Sequence, residues 1–524
     1  MSGLVRKRSP HDQHPTNPNT SIMNYRLLTV IALSLMLAHF STPAFSQAVR
    51  PGALSFGWAT ERIVPNRPVA IGGQYQTRIS SLVNDPITVT ALALETRDAE
   101  SVIDQCVWVS CDLCAIRKRT VINVRKLVSE VVDDLDVSKI IISATHTHTA
   151  PALTDANETD LHPYEFLGSW AYRISPDQTN VMHPLEYLDF LERQIAQAIA
   201  RAWQSKQLGD AGSALSHASI ARNRRAVYFD GTTRMYGETR DPNFSHLEGT
   251  SDDSVDLLCF WRNDQIVGMA ITVYCPSQEV EGENYLSADF WHDARQQLRE
   301  RFSKDLFVLP LTGASGDQSP HVQIDKASSS SMLAKQKLQY RQEIARRLVR
   351  SIEDVIEVAK QNRKSELNFA HRVEVVPLPV WQVTDERFAE STKVFEAGKN
   401  QVNELSGPDY INWRVSRTMV NRYQLQSNEP NYGIEVHTLR LDDLAYCTNP
   451  FELYTDYGLR IKSRSPAIQT SVVQLTADCA AYLPTERAVQ GGGYSGRIDD
   501  GIIGPPGGRK LVDESVRMLK SIWP

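Results

Sequence analysis

Two histidines directly after an apolar run are the residues of this chain best suited to chemistry. The run Ile140–Ala144 leads through Thr145 into His146, Thr147 and His148. Residues two apart in extended backbone project to the same side, so the two imidazoles are expected to face one cleft. Neutral imidazole binds metals and transfers protons near neutral pH. The pair therefore predicts a metal site, a proton-transfer site or both, although a lone His-x-His motif has little specificity.

Polar or thiol side chains near the ends of other apolar segments are the remaining candidates. Each has an ordinary structural explanation, since a carboxylate can favour a helix start and a cysteine can pack in a core. Only their combination favours a functional site. They are Arg224 in an Asn-Arg pair, Cys275 after the apolar strand 267–274, Ser319 in a Gly-rich turn, Glu452 beyond the strand 444–447, and Tyr482 and Tyr494 on either side of a Gly-rich stretch.

Strand-like and helix-like segments alternate along the chain. A strand at 102–109, helical spacing of apolar residues within 115–135 and the strand that begins at Ile140 form a βαβ unit. We therefore expect an α/β fold with mixed sheets and helices, and functional loops at the carboxyl ends of parallel strands. No linker is visible within 47–524, which predicts a single large catalytic domain. Further helices are predicted at 287–302, 332–359, 384–405 and 511–522, and a loop at 499–508.

The composition is that of an ordinary globular protein. With 524 residues, 41% hydrophobic and 23% charged, the chain can bury a large core, which excludes a disordered or fibrous protein. The net charge is −6, and clusters of Lys and Arg are short, as in Arg222-Asn223-Arg224-Arg225. Proteins that bind nucleic acid carry a basic face, so we expect no nucleic-acid partner.

An apolar stretch near the beginning has the layout of a secretory signal. Residues 27–40 follow Arg26 and precede a short polar segment that ends at Gln47. The stretch is shorter than the roughly 20 residues that span a bilayer. We therefore assign residues 1–46 to a signal peptide cleaved near Ser46. The protein is expected to be periplasmic or secreted, with an uncleaved membrane anchor as the alternative.

The cysteine pattern adds one further expectation. The chain has seven cysteines, so at least one thiol is unpaired, and such a thiol suits a metal ligand. Cys111 and Cys114 have the Cys-x-x-Cys spacing of redox and zinc pairs. No matching second pair follows, so we interpret these two residues as structural.

Taken together, these motifs resemble those of the neutral ceramidase family, whose members are zinc amidases that cleave the N-acyl bond of ceramide. The family's Thr-His-Thr-His-Ser-Gly-Pro is similar to residues 145–151, with Thr149 in place of Ser and Ala150 in place of Gly. Its Gly-Asp-Val-Ser-Pro-Asn is similar to residues 316–321. The resemblance runs from about Leu54 to the end of the chain, and implies a ceramidase-like catalytic domain that binds one zinc ion.

The resemblance also implies roles for individual residues. His146 matches a zinc ligand and His148 the catalytic histidine. Ser319 matches the family's proposed active serine. By the same matching, Glu452 and Tyr482 are zinc ligands, Tyr494 is the catalytic tyrosine, and Arg224 matches, less closely, a substrate-side arginine.

The sequence departs from the family pattern in two places. Cys275 stands where the family has its second histidine ligand, and a thiolate is itself a good zinc ligand. Alternatively, Cys275 is inert and zinc is lost or held by Glu279 or Glu281. The chain also ends thirty residues after Tyr494, so we expect no C-terminal immunoglobulin-like domain, which makes ceramide itself a less secure substrate.

These observations predict a zinc-dependent amidohydrolase that cleaves a ceramide-like N-acyl amide with activated water. Direct attack by Ser319 is less favoured, because Gly-Asp-Gln-Ser-Pro differs from the Gly-x-Ser-x-Gly motif of serine hydrolases. Two alternatives stay open: a hydrolase of the same scaffold acting on another amide or ester, and a metal-poor binding protein. The expected partners are a small-molecule or lipid amide and, for a lipid, peripheral contact with a membrane. The oligomeric state does not follow from the sequence.

Overall fold

Two β-sheets packed face to face form the centre of the fold. The computed structural model describes residues 50–154, 162, 164, 174, 177–402, 404–405 and 407–523. The signal peptide predicted for residues 1–46 lies outside these ranges. The strands of the described residues are β1 (Pro51–Arg62), β2 (Ala70–Ile71), β3 (Arg78–Ile79), β4 (Leu82–Val83), β5 (Thr88–Arg97), β6 (Val102–Cys111), β7 (Ile140–Ala144), β8 (Gln207–Leu208), β9 (Asp210–His217), β10 (Arg222–Asn223), β11 (Arg225–Tyr228), β12 (Thr233–Met235), β13 (Phe244–Leu247), β14 (Ser254–Arg262), β15 (Gln265–Val273), β16 (Tyr285–Leu286), β17 (Phe307–Thr312), β18 (Gln318–Ser319), β19 (Glu366–Pro379), β20 (Asn431–Leu441), β21 (Leu444–Thr448), β22 (Glu452–Leu453), β23 (Gln469–Val473) and β24 (Tyr482–Leu483).

The larger sheet has the strand order β23-β21-β20-β19-β1-β5-β6-β7, and β8 also pairs with β1. The second sheet has the order β17-β15-β14-β9. Large apolar side chains from both sheets form one buried cluster, in which Phe56 and Trp58 of β1 contact Phe260 of β14. The two inner faces therefore make a common core.

Helices cover the outer face of each sheet. Within the described residues the α-helices are α1 (Lys118–Ser129), α2 (Pro184–Gln204), α3 (Phe290–Arg301), α4 (Lys326–Gln336), α5 (Tyr340–Gln361), α6 (Asp385–Gly398), α7 (Gly407–Leu425), α8 (Thr455–Arg464), α9 (Glu486–Gly491) and α10 (Pro505–Ser521). Helices α1 and α2 pack on the larger sheet near β5 to β7, and α8 and α10 pack near β19 to β21. Helices α3 and α5 cover the second sheet.

This layering confirms the α/β prediction. The described residues from 50 to 523 group into one compact unit, which is consistent with a single large domain. The βαβ unit is also confirmed, because β6 and β7 pair in parallel with α1 between them. All five residues of β7 are buried, since α1 and α2 cover one face and the second sheet covers the other.

Several predicted helix boundaries are wrong. The helix at 332–359 is two helices, α4 and α5, separated at Lys337, which has a left-handed φ of 56°. The helix at 384–405 ends at Gly398 as α6. The predicted loop at 499–508 contains the first turn of α10, because proline is compatible with a helix start and Gly508 packs against Tyr457. No helix of the described residues is long and apolar enough to cross a membrane.

Candidate functional site

The loops that follow several parallel strands meet at one edge of the two sheets. The loop after β7 accepts a backbone hydrogen bond from the loop after β15, between Thr145 O and Ser277 N at 3.3 Å. The loop after β17 donates to the segment after β21, from Gly316 N to Leu453 O at 2.8 Å. The candidate residues identified in the sequence lie on or beside these loops, as expected for an α/β fold.

Two short strand pairs bring distant parts of the chain to this edge. Strand β22 pairs in parallel with β24, so Glu452 lies opposite Tyr482. Strand β10 pairs antiparallel with β18, so Arg222 lies opposite Ser319. These pairings join segments that are 30 and almost 100 residues apart, and they fix the side chains through backbone hydrogen bonds.

His146 lies at the centre of the site. Its φ is 63°, a left-handed conformation that is uncommon for a non-glycine residue and typical of functional positions. The side chain is buried; Nδ1 donates to the carbonyl oxygen of Cys114 at 2.6 Å, and Nε2 lies 3.2 Å from Oε2 of Glu452. When a metal replaces the proton on Nε2, a histidine whose Nδ1 donates to a carbonyl presents the Nε2 lone pair to the ion, which is the usual arrangement of a metal ligand.

His148 lies beside this group with its ring edge-on to that of His146, and the ring centroids are 4.8 Å apart. Its Nε2 lies 3.5 Å from Nε2 of His146 and accepts from the amide of Gln278 at 2.9 Å. Its Nδ1 lies 3.4 Å from Oε2 of Glu281. Gly73 allows this packing, because a Cβ at that position would lie 2.3 Å from the His148 ring.

Glu452 connects the histidines to the tyrosines and the arginine. Glu452 is 2% exposed. The ring of Tyr494 contacts the ring of Tyr482 edge-on, and their centroids are 5.4 Å apart. Arg224 donates from Nη2 to the Tyr482 hydroxyl and to the carbonyl of Gly316, both at 3.0 Å. The structure therefore brings six of the eight predicted site residues together: His146, His148 and, around them, Glu452, Tyr482, Tyr494 and Arg224.

Electrostatics in this buried site depend on close charge pairs. Burial alone would lower the pKa of His146, but the charges of Glu452 and Cys114 raise it well above its ordinary value. Burial alone would raise the pKa of the Cys114 thiol, but His148 and His146 lower it to about 6. Burial raises the pKa of both Tyr482 and Tyr494 far above 10, so these phenols stay protonated.

These residues fit a metal ion. One ligand atom from each of Cys114, His146 and His148 lies within 4.8 Å of the others, the one such group among the described residues. In addition, Oε1 of Glu452 is buried and has no hydrogen-bond partner in the described part of the chain. A buried carboxylate oxygen without a partner is costly unless a cation or proton satisfies it.

Two predicted site residues lie outside this group. Cys275 packs in the apolar cluster beneath α3, where its Sγ contacts the carbonyl oxygen of Pro276 at 3.5 Å and burial raises the thiol pKa well above its usual value. The geometry thus offers Cys114, rather than Cys275, as the sulfur nearest the histidines. Ser319 Oγ contacts the Tyr236 hydroxyl at 3.1 Å and accepts from the backbone of His321, so its described hydrogen bonds include no imidazole.

Sequence reasoning missed the roles that three residues have in this arrangement. Cys114 belongs to a motif that we interpreted as structural, and the Cys-x-x-Cys spacing was the signal for it. Gln278 and Glu281, which contact His148, lie in the turn that follows Cys275. The sequence indicated Glu281 only as an alternative zinc ligand, whereas in the structure the Glu281 carboxylate and the Gln278 amide face His148.

A cavity of about 420 Å³ opens beside the two tyrosines. One wall is apolar and comes from α7, whereas another carries two ion pairs, Arg387 with Asp499 and Arg497 with Asp500, each at 2.9 Å. The cavity is lined by Tyr75, Arg387, Pro408, Ile411, Asn412, Val415, Tyr482, Tyr494, Arg497, Asp499 and Asp500.

The fold is similar to that of solved ceramidase structures. A neutral ceramidase from Pseudomonas aeruginosa superposes with a TM-score of 0.62 at 15% sequence identity, covering 90% of this chain and 75% of that one. A structure described as ceramidase complexed with C2 gives the same TM-score and identity, covering 89% and 75% of the two chains. No protein-family model matches the chain, and no curated protein matches its sequence.

Proposed function

We propose that this chain, whose fold is that of the ceramidases, is a zinc-dependent hydrolase that cleaves N-acyl amide bonds. The observation that carries the proposal is the buried contact of 3.2 Å between His146 Nε2 and Glu452 Oε2, with the other carboxylate oxygen unpartnered. Three further groups surround it: His148, the paired tyrosines and Arg224. This is a donor set suited to a divalent metal with room for a substrate group.

His146 and Glu452 would hold the ion, with Tyr482 beside the carboxylate and the Cys114 sulfur close to the histidines. A nitrogen, oxygen and sulfur donor set suits zinc better than magnesium or calcium, which take oxygen ligands. When bound, zinc supplies Lewis acidity that polarises a carbonyl and makes water nucleophilic near neutral pH.

The protein's own residues supply the remaining steps. His148 Nε2 carries a lone pair that faces the candidate metal ligand, so it can accept a proton from the attacking water and pass it to the departing amine. Desolvation raises the pKa of the half-buried Tyr494, so it stays protonated and its hydroxyl can donate a hydrogen bond to the oxyanion. Arg224 adds a permanent positive charge on the same side, through its contact with Tyr482.

The second candidate is a hydrolase of the same scaffold that acts on a more polar amide or ester. The cavity wall favours a polar substrate, because a long alkyl chain would desolvate the ion pairs Arg387–Asp499 and Arg497–Asp500 without hydrogen-bonding to them. A substrate with hydroxyl or amide groups could hydrogen-bond to them instead. Mass spectrometry of products from long-chain ceramide and from short, hydroxylated N-acyl amides separates the two candidates.

The test of the proposal measures metal and activity together. The purified protein should contain about one zinc per chain, lose activity to a chelator and recover it when zinc returns. His146→Ala and Glu452→Ala should each abolish both zinc binding and amide hydrolysis. His246→Ala, an exposed histidine on β13, is the matched control and should change neither. Full activity in either of the first two variants would refute the zinc assignment.

Export and membrane contact complete the proposal. The apolar residues 27–40 and the predicted cleavage near Ser46 support export. All seven cysteines are free, so the described fold needs no disulfide in whichever compartment it works. Mass spectrometry of the mature N-terminus tests the cleavage, and co-sedimentation with anionic and neutral vesicles tests peripheral membrane contact.

A further inference from the structure

The turn after β15 places a carboxylate behind His148. Glu281 Oε2 lies 3.4 Å from His148 Nδ1, and it also accepts from the side-chain amide of Gln74 at 3.3 Å. The Glu281 side chain is 18% exposed, so the contact is largely shielded from water. His148 Nδ1 is itself buried and has no hydrogen-bond partner of short, linear geometry among the described residues. Glu281 is therefore the carboxylate in position to accept a hydrogen bond from Nδ1.

The other nitrogen of the ring fixes the tautomer. A carboxylate can only accept, so a proton between Glu281 and His148 belongs to Nδ1. Nε2 then keeps its lone pair, and the amide of Gln278 donates to it at 2.9 Å. Both contacts agree on one tautomer, in which Nε2 faces His146 at 3.5 Å. Catalytic hydrogen bonds are often long without substrate and shorten in the complex. The 3.4 Å contact between His148 Nδ1 and Glu281 Oε2 is expected to shorten in the same way when substrate binds.

We infer that Glu281 is a positioning residue, which holds His148 with Nε2 directed at the candidate metal site. The inference rests on the proposed function. In that reaction His148 Nε2 takes a proton from the attacking water, and gives it to the amine nitrogen as the C–N bond breaks. Glu281 keeps the Nδ1 proton in place throughout and stabilises the imidazolium that forms between the two transfers, as the buried carboxylate does in a Ser-His-Asp triad.

Glu281 also has contacts that point to a purely structural role. Its Oε1 lies 3.6 Å from His321 Nδ1 and 3.5 Å from the Tyr236 hydroxyl. Tyr236 in turn contacts Ser319, so the carboxylate joins two sides of the site. The experiment must therefore separate the orientation of His148 from general support of this cluster.

The decisive variant is Glu281→Gln, which keeps the size of the side chain and removes its charge. We expect kcat for amide hydrolysis to fall about 10- to 100-fold with KM nearly unchanged, the usual cost of losing an outer carboxylate partner. With a p-nitrophenyl ester the deficit should shrink, because that leaving group departs without a proton. Glu283→Gln is the matched control, since Glu283 lies exposed in the same turn, and it should leave kcat unchanged.

Two readouts besides activity complete the test. The zinc content of Glu281→Gln should equal that of the parent. In crystals of the metal-free protein, the His148 ring should rotate in Glu281→Ala and stay fixed in Glu283→Gln. An unchanged kcat in Glu281→Gln, an equal deficit on amide and ester, or an unmoved ring in Glu281→Ala would each overturn the inference. If the parent hydrolyses no amide, the proposed function fails, and the ring orientation alone decides whether Glu281 positions His148.

Discussion

Arg225 forms hydrogen bonds to the loop that carries Tyr494. Its replacement is the most direct test of how the fold positions that side chain. The Arg225 side chain is fully buried and forms an ion pair with Glu248, which is 3% exposed. The same guanidinium donates to the carbonyl oxygens of Tyr494 at 2.6 Å, Gly492 at 2.7 Å and Ala488 at 3.1 Å. Gly492 has a left-handed φ of 65°, which glycine adopts without steric cost.

The expected magnitude follows from this burial. Arg225→Gln leaves the Glu248 carboxylate with only the more distant, half-exposed Arg487 at 4.0 Å, and removes donors from three carbonyl oxygens. Breaking a buried ion pair by removing one partner costs about 3–5 kcal/mol, because the remaining charge stays desolvated. We expect the free energy of unfolding to fall by that amount, and kcat to fall as well because Tyr494 is displaced.

The assay is urea unfolding followed by tryptophan fluorescence, together with steady-state kinetics. Arg240→Gln is the control, because the side chain of Arg240 is 90% exposed beside Glu238, and its loss should leave both measurements unchanged. Glu248→Gln provides a second variant, since it removes the charge pair and keeps the donors to the loop. If Arg225→Gln and Glu248→Gln each cost less than about 1 kcal/mol, this account of the loop is incorrect.

Two further predictions test the sulfur near the site and a second buried histidine pair. Cys114→Ser should weaken zinc affinity about 10-fold or more in chelator competition, whereas Cys275→Ser should leave it unchanged. If only Cys275→Ser weakens zinc affinity, then Cys275 is the ligand, as the sequence predicted. His371 Nε2 and His437 Nδ1 lie 2.9 Å apart, and burial lowers the pKa of both below 6.5. Because the folded pKa is depressed, this pair stabilises the protein fully above pH 6.5 and progressively less as the pH falls. The melting temperature should therefore drop between about pH 6.5 and 5, and a His437→Gln variant should flatten that slope; parallel profiles for the two proteins would contradict it.

Local pattern determined the elements that carry the first part of the site. The apolar residues of α1 and the uninterrupted Ile140–Ile142 run predicted the βαβ unit, because a strand buried on both faces must be apolar throughout. The same pattern predicted that His146 and His148 follow a strand end. Helix boundaries were less predictable, since the break at Lys337 depends on one left-handed residue that propensity does not reveal.

The resemblance to a known family supplied the more distant residues, and local sequence alone could not. Glu452 and Tyr482 meet only because β22 pairs with β24, and that pairing depends on how the segments after β21 and β23 cross the sheet edge. Hydrogen bonds between loops of different strands have no signature in a single segment. The structure places Glu452 beside His146 and Tyr482 opposite Glu452.

The sequence by itself determined the residue types available for chemistry and the strand that presents two histidines. Only the tertiary structure decided which thiol and which carboxylates reach them. Cys275 and Cys114 are equally plausible ligands by residue type, but one packs beneath α3 and the other contacts His146. Side-chain direction at a loop depends on backbone contacts made by distant strands, so it follows from the packed fold rather than from local spacing.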